Sequence, residues 1–220
     1  MLRKPLTHFQ ETVQHPHHSL GFLLLTLIFS IVFSPLMIDY QSIAGTVFSA
    51  LMIASMVLSL QALTEKSPRL RRWLKVTGIA IVVLRLLAEH SISPPWLPLF
   101  TLIASMLFNL GMMVMLMGHL FSKQPEMEKL LAAINFYLLT GVTFSYLYLM
   151  TNLFSPGSFD MPAQSISSWP DYLYFSFVTL TTLGYGDILP LSSLAQSLAS
   201  LEAVIGVLSP TVMIARFVGK

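Results

Sequence analysis

The sequence predicts an all-α integral membrane protein with six transmembrane helices, on three observations. Of its 220 residues, 55% are hydrophobic and 10% are charged, whereas a soluble domain carries about 25% charged residues. Six apolar segments are close to the length of about 20 residues that crosses a bilayer. The basic residues are confined almost completely to alternate connections between these segments.

The six segments are separated by breaks that contain Pro, charged or other polar residues. They cover about residues 20–36, 43–63, 74–90, 96–121, 130–154 and 193–217. The first has no small-residue cleavage site, so we interpret it as a signal anchor. The connection between the last two segments is long, polar and rich in Pro and Ser, and it contains one short apolar helix.

The basic residues predict the orientation. Eleven of the twelve Lys and Arg residues lie before the first segment, in or at the borders of the connections between the second and third and between the fourth and fifth, or at the end of the sixth. Basic connections favour the cytoplasmic side, and an even number of spans puts these four regions on one side. We therefore predict a multi-pass protein of the cell membrane with both termini in the cytoplasm, residues 1–19 forming a cytoplasmic N-terminal segment.

A nine-residue segment with two closely spaced glycines lies between the last two spans. This filter segment, residues 179–187, reads Thr-Leu-Thr-Thr-Leu-Gly-Tyr-Gly-Asp. Gly184 and Gly186 give access to backbone conformations closed to residues with a Cβ, which allows carbonyl groups to line a narrow axis. A short helix precedes the segment, with Pro170 at its start and Asp171 in its first turn, where an acid suits the helix dipole.

The filter segment resembles the selectivity filter of the potassium-channel family, whose pattern is Thr-x-Thr-Thr-Val-Gly-Tyr-Gly-Asp. The resemblance covers about residues 130–220 and implies an outer helix, a re-entrant pore helix, a filter loop and an inner helix. It implies that K+ loses its water shell to rings of oxygen atoms. The implied ion-binding residues are Thr182, Leu183, Gly184, Tyr185 and Gly186.

The resemblance also implies residues that brace the filter. The family carries a pair of aromatic residues in the pore helix, one of which bonds the acid after the filter. We expect Tyr174 to bond Asp187, and a tyrosine that only packs is the alternative. Thr179 is a further supporting residue, and Leu183 replaces the commoner Val, so the packing behind the filter must differ.

The last span corresponds to the inner helix of the family. Gly206 lies where the family places a hinge glycine, and Pro210 removes the N–H that would bond the Gly206 carbonyl. This pair predicts a kink that sets the width of the inner mouth, although a fixed kink without a gating role is the alternative. By alignment, Val207 and Ile214 would line the inner cavity together with Pro210.

Glu202 lies inside the same span, about one turn before Gly206. An acid at this depth is energetically expensive and is a functional candidate. It is either ionised, attracting cations, or protonated and bonded to the back of the pore helix near Thr179 or Ser176. We favour the second interpretation, because a charge there would need water or a basic partner.

Residues 20–121 predict a four-helix transmembrane bundle without the arginine series of a voltage sensor. The fourth span, residues 96–121, contains no Lys or Arg, and steep voltage gating needs several charges per subunit. Arg85 is the one basic residue in the interior of a span. A structural pair with Glu89 is its simplest interpretation, and a weak voltage dependence is the alternative. The N-terminal His15, His17 and His18 are candidates for proton or metal sensing, with a polar tail as the simpler alternative.

Together these features predict a potassium-selective channel that conducts passively through a four-fold, homotetrameric pore, because one loop cannot enclose an axis. A weakly selective cation channel is one alternative, and a non-conducting transporter or regulatory subunit is another. We expect no enzyme activity, no cofactor other than the permeant K+, no nucleic acid and no nucleotide. Since Lys220 follows closely on the last span, we also expect no C-terminal ligand-binding domain.

Overall fold

A computed structural model describes residues 16–37, 68–88, 96–123, 125–162 and 167–218, and most of them are helical. The predicted second span, residues 43–63, lies outside the described residues. The same holds for Glu89 and for the side chains of Arg85 and the N-terminal histidines. The predicted ion pair and the predicted proton or metal sensor therefore remain predictions.

Each of the other five predicted spans coincides with a helix. The helices are α1 (Pro16–Phe33, followed by a 3-10 turn at Ser34–Met37), α2 (Pro68–Ala88), α3 (Leu97–Leu120), α4 (Glu126–Phe154), α5 (Trp169–Leu180) and α6 (Ser193–Val218). Among them, α3, α4 and α6 are long and apolar enough to cross a bilayer, whereas α1 and α2 contain shorter apolar stretches. The total of six spans thus remains a prediction.

Helix α4 is the centre of the described structure, since it packs against α1, α3, α5 and α6, while α2 packs on α3. It begins four residues before the predicted span because Pro125 precedes it and Glu126 and Glu128 occupy its first turn, where acids favour the helix dipole. The buried amide of Asn135 donates to the Leu20 carbonyl at 3.0 Å, which ties α1 to α4.

Helix α5 is 12 residues long, about 18 Å at 1.5 Å per residue, and so is too short to cross a bilayer. Its start is defined by a capping box in which the Ser168 N–H donates to the Asp171 carboxylate at 2.9 Å. This capping box satisfies amides that would otherwise have no helical partner. The helix packs between α4 and α6.

Two short strands join the chain before α5 to the chain after the filter segment. Strand β1 (Phe159–Asp160) pairs antiparallel with β2 (Leu189–Pro190), with Phe159 opposite Pro190. The Leu191 N–H extends the contact by donating to the Ser158 carbonyl at 2.8 Å. Both ends of the loop that contains α5 and the filter segment are therefore held close together.

Candidate functional site

The filter segment folds back on the last turn of α5. The Thr182 N–H donates to the Thr179 carbonyl at 3.0 Å, and the Leu183 and Gly184 N–H groups donate to the Val178 carbonyl at 2.9 and 3.3 Å. Thr179, expected to support the filter, thus contributes through its backbone carbonyl. These bonds fix the start of the filter segment to the helix end, so any shift of α5 moves the filter segment with it.

The backbone of the filter segment alternates in conformation. The φ angles of Thr182, Gly184 and Gly186 are +59°, +61° and +77°, whereas Leu183 and Tyr185 between them do not have positive φ. Alternation of this kind turns successive carbonyl groups toward one side, as an ion-lining filter requires. The two glycines were expected to adopt such angles, but Thr182 was not, since a β-branched residue rarely has positive φ.

The filter segment is open on one side in the single chain. Residues 181–187 are all exposed, and the Leu183 and Tyr185 side chains are 55% and 65% exposed. Among the described residues, no group of three or more His, Asp or Glu side chains could hold a metal ion.

The predicted brace between Tyr174 and Asp187 is present as a contact. The Tyr174 hydroxyl donates to Asp187 Oδ2 at 2.7 Å, and the Tyr174 ring stacks on Tyr185 with centroids 6.5 Å apart and planes inclined by 8°. The hydrogen bond to the Asp187 carboxylate raises the pKa of Tyr174 to about 12, so the phenol remains a donor at neutral pH. The ring and the hydroxyl of Tyr174 thus contact two residues of the filter segment, Tyr185 and its terminal acid Asp187.

Glu202 is fully buried and joins three helices. The Tyr148 hydroxyl of α4 donates to Glu202 Oε2 at 2.5 Å, and Ser176 Oγ of α5 lies 2.5 Å from Glu202 Oε1. Ser176 Oγ also lies 2.7 Å from the Gly141 carbonyl oxygen of α4. Ser176 was among the expected partners, but Tyr148 was missed: 54 positions separate it from Glu202, and only the rule that a buried acid needs a donor could have suggested it.

Gly206 lies against the end of α5. A Cβ atom at Gly206 would come within 1.9 Å of the Leu180 carbonyl oxygen, and the Tyr137 hydroxyl of α4 donates to the same oxygen at 3.3 Å. The glycine therefore permits a close approach of two helices, a role that the sequence analysis did not foresee. Its predicted role as a hinge remains a prediction.

Helix α6 runs without interruption from Ser193 to Val218, with Pro210 inside it. Val207 and Ile214, expected to line a cavity, are 54% and 62% exposed in the single chain. They therefore lie on the part of α6 that the rest of the chain leaves uncovered.

Comparisons with known proteins match the part of the chain that contains this site. The family model described as "Ion channel" matches residues 132–220, which contain most of α4 and the whole of α5, the filter segment and α6. Protein LctB of Bacillus caldotenax is 31% identical over 98 residues, which are 42% of this chain and 72% of that protein. The chain belongs to the ion channel family.

Two further relatives of this ion channel match shorter parts of the chain. Protein LctB of Geobacillus stearothermophilus is 32% identical over 84 residues, 37% of this chain and 62% of that protein. The human potassium voltage-gated channel subfamily A member 4 is 34% identical over 73 residues, 31% of this chain and 11% of that protein. No solved structure matches. The family match confirms the resemblance of residues 130–220, called the pore unit below, to potassium channels, and the apolar helices agree with a multi-pass membrane protein.

Proposed function

We propose that this ion channel conducts K+ selectively and passively through a homotetrameric pore in the cell membrane, with both termini in the cytoplasm. The observation that carries the proposal is the alternation of φ at Thr182, Gly184 and Gly186 within the filter segment. A filter of oxygen atoms can replace the hydration shell of K+ without any cofactor. Asp187 at the outer end would raise the local concentration of cations.

The uncovered surfaces support assembly of four copies. A ring of oxygen atoms around an ion needs four loops, and each chain has one filter segment with an open side. Helix α6 carries an apolar surface that its own chain leaves exposed, formed by Leu194, Leu201, Val204, Val207, Leu208, Val212 and Ile214. In a tetramer, this surface would be shared between the neighbouring copies, the inner cavity and the lipid.

The absence of charge in α3 supports a channel that is not strongly voltage-gated. Helix α3, the fourth predicted span, contains no Lys or Arg between Leu97 and Leu120. Each charge that crosses the membrane field contributes about 2.3 kcal/mol per 100 mV. Because α3 has no Lys or Arg, it carries no gating charge of this kind. The human relative is named as a voltage-gated channel, but it matches only 31% of this chain.

The test is the reversal potential of the purified full-length protein in a planar bilayer with unequal K+ and Na+ on the two sides. Unitary currents that reverse near the K+ equilibrium potential would support the proposal. Gly184→Ala is the matched control, because its φ of +61° is unfavourable for alanine, while no atom of the same chain lies within 4 Å of the added methyl group. The variant should fold and assemble but lose the current, which excludes a contaminating conductance.

Other outcomes would favour the alternatives. Unitary currents that reverse near zero would indicate a weakly selective cation channel and would implicate Leu183. A protein that crosslinks only as a monomer or dimer, with saturable flux or none, would indicate a transporter or a regulatory subunit. A flat open probability between −100 and +100 mV would agree with weak voltage dependence, since steep gating needs several charges per subunit.

A further inference from the structure

We propose that Glu202 is a neutral carboxylic acid, and that its proton completes a chain of hydrogen bonds that positions α5 behind the filter segment. The protonation state follows from the geometry of the single chain. The positioning role rests on the proposed function, because it concerns a filter. Glu202 would then act as a positioning residue that never contacts the permeant ion.

The first argument is a count of hydrogen atoms. Three short oxygen–oxygen contacts occur in series: Tyr148 to Glu202, Glu202 to Ser176, and Ser176 to the Gly141 carbonyl, at 2.5, 2.5 and 2.7 Å. Each distance lies in the range of an O–H···O hydrogen bond, so each contact needs one hydrogen. Tyr148 and Ser176 supply one hydrogen each, and a carbonyl oxygen supplies none.

The third hydrogen must therefore belong to Glu202. The Gly141 carbonyl can only accept, so the Ser176 hydroxyl donates to it and has no second hydrogen for Glu202. A protonated Oε1 donates to Ser176 Oγ, while Oε2 accepts from Tyr148. An ionised Glu202 would leave two oxygen atoms in close contact with no hydrogen between them.

The surroundings of Glu202 support the same assignment. Glu202 is 0% exposed, and the titratable groups that face it are the phenols of Tyr137 and Tyr148 on α4. On α5, its neighbour is the neutral hydroxyl of Ser176. Among the described residues, the ion pairs join other acids to His119 and Lys129, so no base compensates a charge on Glu202. A buried charge without a partner is strongly unfavourable.

The contact between Glu202 and Ser176 lies next to a second contact between α6 and α5. The second contact is made about one helical turn further along both helices. Glu202 and Gly206 are four residues apart on α6, and they contact Ser176 and Leu180, which are four residues apart on α5. Two successive turns of α6 thus hold two successive turns of α5. The polar contact fixes the rotation of α5, because a hydroxyl and a carboxyl group bond only when they face each other.

The filter depends on that rotation. Val178 and Thr179, which accept the filter amides, lie two and three residues after Ser176 on the same helix. A change at Glu202 should therefore reach the filter through α5, although Glu202 lies outside the filter segment. Ion selectivity would thus depend on Glu202 through the position of α5, although Glu202 does not contact the permeant ion.

The test compares Glu202→Gln with Glu202→Ala in the full-length protein. Glutamine has one donor group and one acceptor group in nearly the same positions as a neutral acid. It can therefore form the same chain of hydrogen bonds without a titratable proton. We expect Glu202→Gln to keep the melting temperature and the K+/Na+ permeability ratio of the wild type. We expect Glu202→Ala to melt about 5–10 °C lower, because two buried hydrogen bonds and their packing are lost, and to lose selectivity.

Infrared difference spectroscopy at neutral pH supplies the direct readout. The wild type should show the carbonyl stretch of a protonated carboxylic acid, shifted in heavy water and missing from Glu202→Gln. If Glu202→Gln removes a carboxylate band instead, or lowers the melting temperature as much as Glu202→Ala does, the proposal is wrong. Neither the infrared band nor the melting temperature depends on conduction. A wild type with the acid band but without K+ selectivity would therefore overturn the proposed function and leave the protonation of Glu202 intact.

Discussion

A methyl group at position 206 should destabilise the pore unit by pushing α6 away from α5. The Cβ of Gly206→Ala would lie 1.9 Å from the Leu180 carbonyl oxygen, whereas carbon–oxygen contacts normally lie at about 3.3–3.6 Å. The two helices must therefore separate by roughly 1.5 Å at this point. The clashing atom belongs to the backbone, so no change of side-chain rotamer can relieve it.

The energetic balance favours destabilisation. Overpacking of this kind costs about 1–3 kcal/mol, and alanine recovers up to about 1 kcal/mol through its better helix propensity. The net loss is therefore about 0–3 kcal/mol, and a loss in the middle of this range should lower the melting temperature by about 3–6 °C in a chain of this length. The hydrogen bond from Tyr137 to the same carbonyl is 3.3 Å long, and it should also be weakened.

The assay is thermal unfolding of the purified protein in detergent, followed by far-ultraviolet circular dichroism and by the size of the assembly. Gly118→Ala in α3 is the matched control, since no atom lies within 4 Å of its added Cβ. The control should be as stable as the wild type or slightly more stable. Equal melting temperatures for the two alanine variants would refute the close-approach interpretation of Gly206.

Pro210→Ala separates packing from hinge motion. It returns an N–H to bond the Gly206 carbonyl without placing an atom between α5 and α6. If the pair acts as a hinge, Pro210→Ala should change the open probability with little effect on the melting temperature. An unchanged open probability would favour a fixed kink. Alanine at Gly206 cannot make this distinction, because it also disturbs the packing.

Two further substitutions probe the supports around the filter. Tyr174→Phe keeps the ring but removes the hydroxyl that bonds Asp187. Bilayer recordings should therefore show lower K+/Na+ selectivity or less stable openings. Unchanged currents would show that this hydrogen bond is dispensable. The same bond should persist up to pH 10, the ordinary pKa of tyrosine, and be lost as pH rises through about 12. Gly141→Ala would place a Cβ 2.8 Å from the Phe177 ring, and it should lower the melting temperature by about 2–10 °C. A melting temperature equal to that of Gly118→Ala would contradict the close packing of Gly141 against Phe177.

Much of the candidate site could be predicted because its signals are local in the sequence. The positive φ angles of Gly184 and Gly186, the start of α5 near Pro170 and the contact of Tyr174 with Asp187 all depend on residues within a short stretch of chain. The capping box at Ser168 was equally local and could have been recognised from its spacing.

The sequence by itself determined the membrane class, the approximate limits of the described helices and the position of the filter segment, because length, hydropathy and the order of residues suffice for these. Only the tertiary structure decided which residues hold α5 in place. Tyr148, Ser176 and Glu202 come from three different helices, and Gly206 meets Leu180 across 26 positions. Such contacts depend on how helices pack side by side, and the pattern within one helix does not specify which residue of another helix it meets.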